Sequence, residues 1–319
     1  MKIHVFLTHP HVACWNFQDR HRDRLQAAFP DSRVVPFLHS RDFLAELEQA
    51  DVAVVWYFKR EWLADAPDLK LISTPAAGRD WIDLPGEDAG GNLPAVWHGG
   101  FHGSMMAESV VGAALHFVKA FAFSAEMQKK RKWARIKVSE KIESLYRTRV
   151  TVLGFGRIGQ AIGAAFKTFG SCVTGVRRTA ATPPTWFEAG DQIATPDDLQ
   201  ALLPQTDHLV LALPGGAETD GLLTRELLDL LNGSVCFYNV GRGNPYREED
   251  LVRALTHGKI RHAYLDVFDT EPLPEESPLW NIDKVLIQPH LSAASPQYLD
   301  LYVEELIERL RKERFGAAG

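Results

Sequence analysis

The chain has 319 residues, 45% apolar and 24% charged, which excludes disorder as its main state and suggests two domains at ~100–200 residues each. Lys plus Arg number 35 against 41 Asp plus Glu, a net charge of −6 that gives no overall attraction for nucleic acid or an anionic membrane. Three widely separated cysteines (Cys14, Cys172 and Cys236), no run of ~18–20 apolar residues and an N-terminal apolar stretch too short for a signal peptide together lead us to expect a cytoplasmic protein without disulfides or a zinc pair.

In chain order, short apolar runs alternate with longer stretches of helical period. Strands are expected at 3–7, 34–37, 52–57, 71–74 and 95–97, with helices at 17–29 and 41–50. Several of these strands are continuous Val/Ile/Leu runs rather than alternating ones, the pattern of a parallel sheet covered on both faces. The stretch 85–92 is turn chemistry. Residues 104–122 are almost uncharged apart from Glu108 and Lys119, and read as a buried helix. The stretch 128–137 is basic (Lys129, Lys130, Arg131, Lys132, Arg135, Lys137) and reads as a solvated helix face or arm.

A second series of strands is expected at 150–153, 172–176, 208–213, 235–240, 263–267 and 285–288, with helices at 157–169, 196–203, 224–231 and 247–257. Units of this spacing are βαβ crossovers. The last helix, 296–314, carries Leu299, Tyr302, Val303, Leu306, Ile307 and Leu310 on one face as a packing stripe. His9, His11, His98 and His102 come with no compelling carboxylate or thiol set, so no metal site is expected.

The strongest local signal is Gly154-Phe155-Gly156-Arg157-Ile158-Gly159, which follows an apolar strand and opens a helix. In that context Gly154 permits a tight turn, Gly156 lets backbone approach a pyrophosphate, and Gly159 lets the helix pack on the strand. The helix N-terminus then offers free N–H groups to phosphate. The next strand ends not in Asp or Glu but in Arg177-Arg178. A carboxylate there would repel a ribose 2′-phosphate and a guanidinium pairs with it, so NADPH is expected over NADH. The plain alternative is two solvated surface arginines.

Three polar segments follow later strand ends, where doubly wound sheets place ligands. They are Asn239-Val240-Gly241-Arg242-Gly243, the run from Asp266 through Glu271-Pro272, and Pro289-His290. Each has a dull reading alone; an arginine, a carboxylate and a histidine at three consecutive strand ends after a nucleotide motif point to a site.

With these motifs, the loop 73–83 and Met106-Ala107-Glu108, the sequence resembles the D-isomer-specific 2-hydroxyacid dehydrogenase family over nearly its whole length. Val54-Val55-Trp56-Tyr57, Arg177-Arg178, Trp133 and Glu276-Ser277-Pro278-Leu279-Trp280 make it similar, within that family, to the NADPH-dependent glyoxylate/hydroxypyruvate reductases. The resemblance implies an α/β fold, a Rossmann doubly wound parallel-sheet nucleotide domain at 99–289 plus a smaller flavodoxin-like α/β substrate domain from 1–98 and 290–319. The last helix would return across a hinge near Pro289, with Gly78 on one wall of a cleft and Arg242 on the other.

The resemblance also implies roles. His290 would donate the proton and Glu271 hold its other ring nitrogen, while Arg242 would bind the carboxylate of a small 2-oxo or 2-hydroxy acid. Backbone N–H groups of Ala77 and Gly78 would share that carboxylate, and Trp56 would limit the substrate's size. The cofactor would border Gly154–Gly159, Arg177, Arg178, Leu213, Pro214, Val240, Gly241 and Asp266. Trp133, in the basic arm, would reach a partner subunit, with the uncharged helix buried in a homodimer interface. A cofactor-sensing corepressor-like protein and a formate- or phosphite-oxidising relative are the competing readings. In this chain Gln288 precedes Pro-His where the family more often has Thr, and Phe155 stands where many members have a smaller residue.

Overall fold

A computed structural model describes residues 1–85, 93–179 and 181–313. Most of the expected turn, 86–92, and the last residue of the expected final helix lie outside the described residues. The chain divides into two compact units, Met1–His102 with Ala294–Gly319, and Gly103–Ala293.

The first unit holds β1 (Lys2–Phe6), α1 (Asp19–Ala28), β2 (Arg33–Pro36), α2 (Ser40–Ala45), β3 (Val52–Val55), β4 (Leu71–Thr74) and β5 (Ala95–His98). The strands form a parallel sheet in the order β2-β1-β3-β4-β5. Every residue of β3 and β4 is buried, as expected of central strands covered on both faces. Phe6, Phe43, Phe58, Trp62 and Ile72 build one side of its core. The C-terminal helix (Tyr298–Lys312) packs on α1 through its buried stripe. Ion pairs Arg20–Asp300 at 3.2 Å and Arg24–Glu304 at 2.7 Å flank that contact, and Tyr302 shares a 2.7 Å hydrogen bond with Ser73.

The second unit holds α3 (Gly103–Val118), α4 (Phe121–Lys129), α5 (Arg135–Ser139), β6 (Arg149–Leu153), α6 (Arg157–Lys167), β7 (Cys172–Val176), β8 (Gln192–Ala194), α7 (Leu199–Leu202), β9 (His208–Leu211), α8 (Arg225–Asp229), β10 (Val235–Asn239), α9 (Glu248–Thr256), β11 (Ile260–Leu265) and β12 (Val285–Ile287). Its sheet is parallel throughout, in the order β12-β11-β10-β9-β6-β7-β8. The chain runs outward from β6 to β8, then returns to β9 and runs outward the other way. The order reverses between β6 and β9, the place where open sheets bind ligands beyond their strand ends.

Two local differences from the sequence reading have physical causes. The apolar stretch 104–122 is not one helix: Ala120 takes a left-handed conformation (φ 51°), and α4 restarts at Phe121. β8 lies outside the expected strands, because it is a three-residue edge strand, bonded among the described residues to β7 alone. The apolar face of α3 (Met106, Ala107, Val110, Val111, Ala114) is buried in this unit's own core, as expected of an uncharged helix. Among the described residues no single helix is long and apolar enough to cross a membrane; the bent pair α3–α4 passes by length and composition only.

The chain crosses between units after His102 and after Ala293, rather than after His98 and Pro289. The second crossing lies beyond His290 because the backbone there is tied to the nucleotide sheet. The His290 N–H donates to the Asp266 carbonyl at 2.8 Å, and the Leu291 and Ser292 N–H groups donate to the Asp266 carboxylate at 2.7 and 3.0 Å.

Candidate active site

The nucleotide motif forms the turn from β6 into α6. Gly154 has φ +88°, and a side chain there would collide with the Ala212 carbonyl oxygen at 2.5 Å, so only glycine fits. A Cβ on Gly159 would lie 2.3 Å from the Gly154 carbonyl oxygen, whereas one on Gly156 would meet nothing within 4 Å. Gly156 caps α6 and is exposed, as is Arg157 beside it, while Ile158 is half-buried. An open glycine at the start of an eleven-residue helix fits a phosphate-bearing cofactor.

Phe155 turns the other way. Its ring lies against Gly175 on β7, where a Cβ would come within 2.3 Å, and beside Trp186 and Phe187. Its N–H donates to the Val176 carbonyl at 3.1 Å. The bulky residue in the motif is therefore a core residue, accommodated by a glycine on the neighbouring strand.

At the end of β7, the Arg177 N–H donates to the Ala194 carbonyl at 3.0 Å, and the Arg178 guanidinium pairs with Glu218. Leu213 and Pro214 follow β9, with Leu213 half-buried and Pro214 exposed. Val240 and Gly241 are buried after β10.

The Arg242 loop is shaped by a residue whose role the sequence did not reveal. The Asn239 side chain is fully buried; it donates to the Arg242 carbonyl at 2.8 Å and to the Tyr246 hydroxyl at 3.0 Å, and accepts from the Gly241 N–H at 3.1 Å. A buried amide with each end occupied holds a loop in one conformation. Arg242 Nη1 donates to the Gly241 carbonyl at 2.8 Å. Gly243 lets this loop touch the next one: a Cβ there would lie 2.1 Å from the Asp269 nitrogen.

That next loop carries Glu271. One carboxylate oxygen accepts the Phe268 N–H at 3.0 Å, and the other lies 2.8 Å from His290 Nδ1. Burial by itself would raise the Glu271 carboxyl, but the His290 ring, the Phe268 N–H and the charge of Arg242 carry it below the ordinary value. His290 has φ +54°, a left-handed conformation unusual for a residue with a side chain. Asp266 enforces it by gathering the following two N–H groups. The Asp266 carboxylate is thus already committed to protein donors, and its burial pushes its carboxyl up. Arg242, Glu271 and His290 are brought together within one unit.

The first unit presents its own expected residues at the C-terminal ends of β3 and β4. Trp56 donates its indole N–H to the Trp15 carbonyl at 3.2 Å, with its ring 5.8 Å from that of Trp15 and 6.0 Å from that of Tyr298. The Thr74 hydroxyl donates to the Trp56 carbonyl at 3.4 Å and accepts the Ala76 N–H at 3.2 Å. Ala77 is exposed and Gly78 half-buried in the loop that follows. Among the described residues, no three His, Cys, Asp or Glu side chains gather to hold a metal ion. His102 Nε2 instead meets the Tyr298 hydroxyl at 2.9 Å, and His9 Nδ1 accepts the Val12 N–H at 3.0 Å.

The NAD-binding-domain profile of the D-isomer specific 2-hydroxyacid dehydrogenases matches residues 111–292. The chain belongs to this family. It is an oxidoreductase with two α/β units, one of them a Rossmann NAD-binding domain. It is 32% identical over 297 residues to a glyoxylate/hydroxypyruvate reductase A from Enterobacter sp. (strain 638), covering 90% of each chain. A D-isomer specific 2-hydroxyacid dehydrogenase from Xanthobacter autotrophicus Py2, solved with NADPH and MES, superposes with a TM-score of 0.75 at 28% identity over 97% of this chain and 95% of that one. An NADPH-dependent glyoxylate/hydroxypyruvate reductase from Sinorhizobium meliloti, solved with NADP and sulfate, gives a TM-score of 0.74 at 25% identity over 98% and 95%.

Proposed function

We propose that this dehydrogenase reduces small 2-oxo acids, glyoxylate and hydroxypyruvate, to their 2-hydroxy acids, the D isomer where a stereocentre forms, with NADPH preferred over NADH. The observation that carries this reading is the His290–Glu271 pair at 2.8 Å, with the Arg242 charge acting on the same carboxylate. A nicotinamide cofactor held there would supply the hydride to the carbonyl carbon beside the substrate carboxylate. His290 delivers the proton to the carbonyl oxygen from Nε2, because Nδ1 is held by Glu271. Glu271 fixes the tautomer and stabilises the imidazolium, as a carboxylate behind a catalytic histidine does. Arg242 pairs with the substrate carboxylate and polarises the carbonyl beside it, which favours 2-oxo acids over plain ketones. Ala77 and Gly78 contribute backbone N–H groups to that carboxylate.

Trp56 supports a small substrate side chain. Its N–H is occupied by Trp15, so it offers only an anchored ring face. Arg177 and Arg178 support a 2′-phosphate at the adenosine ribose. The remaining cofactor contacts belong to Gly154, Gly156, Arg157, Ile158, Gly159, Leu213, Pro214, Val240 and Gly241; Phe155 supports them from the core, and Asp266 acts there through the turn it holds. The names of the reductases from Enterobacter and Sinorhizobium meliloti favour the same chemistry.

A second copy of the chain is part of this reading. Trp133 and Ile136, on and beside α5, are 88% and 74% exposed, and apolar surface of that size at one arm suits a dimer contact. Light scattering should return twice the chain's mass; a monomer overturns this part. All three cysteines are free, which suits a reducing cytoplasm. The reading as a whole is tested by a panel of 2-oxo acids against NADPH and NADH. Highest kcat/KM for glyoxylate or hydroxypyruvate with NADPH is expected. Turnover confined to bulky 2-oxo acids, or to NADH, overturns it.

A further inference from the structure

The end of β7 lacks the acidic residue that would meet a ribose 2′-hydroxyl, yet a carboxylate reaches the same place from elsewhere in the sheet. Glu218, in the loop after β9, forms an ion pair with Arg178. Both side chains are exposed, and flexible surface pairs of this kind are ordinarily weak. What distinguishes this one is how firmly its loop is held.

The Thr219 hydroxyl donates to the Pro214 and Gly216 carbonyls, each at 2.9 Å. The Asn244 side chain donates to Thr219 Oγ1 at 3.1 Å, to the Gly216 carbonyl at 3.4 Å and to Asp220. The Gly221 N–H donates to the Asn244 carbonyl at 3.0 Å and the Leu223 N–H to the Pro245 carbonyl at 2.8 Å. The backbone that carries Glu218 is therefore docked on the segment just after Arg242. The carboxylate is presented from a fixed base, which reduces the entropy lost in making the pair.

We propose that Glu218 is a specificity-determining residue for the cofactor. It is an internal competitor that occupies the Arg178 guanidinium until a 2′-phosphate displaces it, and so sets how large the NADPH preference is. The inference rests on the reading that Arg178 receives the 2′-phosphate. The phosphate and the Glu218 carboxylate are both anions seeking one guanidinium, so binding of a 2′-phosphorylated ligand bears the cost of breaking the pair and of the repulsion that follows. A ligand with a free 2′-hydroxyl leaves the pair in place and escapes that cost.

The test is isothermal titration calorimetry of the full chain and of Glu218→Gln with four ligands: NADPH, NADH, 2′,5′-adenosine diphosphate and 5′-AMP. Glu218→Gln should lower the Kd for NADPH and for 2′,5′-adenosine diphosphate by about two- to five-fold, more at low salt, and leave NADH and 5′-AMP within error or weaker. Equal shifts for all four ligands, or no shift for the phosphorylated pair, overturn the proposal. Arg178→Ala separates this failure from failure of the reading beneath it. If that variant leaves the 2′-phosphorylated ligands unweakened, Arg178 is not their site and both ideas fall. If it weakens them while Glu218→Gln changes nothing, the competitor role alone falls.

Discussion

His290 Nδ1 lies 2.8 Å from a carboxylate oxygen of Glu271, and the other oxygen of the same carboxylate accepts the Phe268 N–H at 3.0 Å. The histidine is thereby aimed by a carboxylate that is itself aimed by backbone. The side chains remain 41% and 35% exposed, so the pair has a face left for ligand. His290→Gln should lower kcat by about 100-fold or more while the NADPH Kd changes less than about two-fold, since the lost step is proton transfer rather than binding. Stopped-flow turnover with calorimetric Kd values checks this; near-normal kcat would remove His290 from the chemistry.

Glu271→Gln tests the pairing itself. A neutral amide can still meet Nδ1 of His290 but does not stabilise the charge the ring carries as it gives up and regains the proton, so kcat should fall by about ten-fold or more, less than in His290→Gln, with the NADPH Kd unchanged. An undiminished kcat, measured beside that Kd, would show that Glu271 does not act on the histidine.

Arg177→Asp should weaken NADPH by about ten-fold or more and spare or improve NADH, because it replaces a charge-assisted partner of a 2′-phosphate with a repulsive one. The ratio of Michaelis constants for the two cofactors is the readout. Equal changes for both would leave Arg177 as a solvated surface group.

Asp266→Asn leaves one acceptor oxygen where the Leu291 and Ser292 N–H groups now share two. The loss at this buried position should cost about 1–3 kcal/mol in denaturant unfolding. It should also lower kcat, since His290 sits in the turn those bonds hold. A stable variant with normal kcat would contradict the assignment of Asp266 as the residue that sets this turn.

Acid sensitivity is built into the nucleotide unit at His208. It is buried against Phe166, with Nδ1 3.0 Å from the Tyr238 hydroxyl, and burial pushes its pKa down to about 4. A histidine in the unfolded chain titrates near ~6.5. The folded value is the lower one, so the stabilising contribution is present above ~6.5 and is lost as pH falls toward the folded value, at about 1.4 kcal/mol per pH unit. His208→Gln should show a shallower fall in stability over that range than the parent. Parallel curves would mean that His208 is not among the protons taken up on unfolding.

The parts of this site that were legible in the sequence are those that carry their own local punctuation. Gly154, Gly156 and Gly159 stand between a strand and a helix, and Arg242, Glu271 and His290 each follow a strand end. What stayed hidden depends on which strands become neighbours. Phe155 fits only because Gly175 lies across from it on β7. Glu218 meets Arg178 because the loop after β9 and the end of β7 lie on one edge of the sheet, on either side of β6. Asn239 reads as one more polar residue in a loop until its amide is seen bonded at both ends. β8 escaped notice because three residues are too few to show a period.

The most direct test of the account is the loss of NADPH absorbance with glyoxylate in the parent enzyme and in Arg242→Ala. The account predicts steady consumption by the parent and at least ~100-fold less by the variant, with thermal stability and NADPH Kd retained, because the missing group binds and polarises the substrate rather than the cofactor. No consumption by the parent with glyoxylate or hydroxypyruvate, or an undiminished rate in Arg242→Ala, would contradict it.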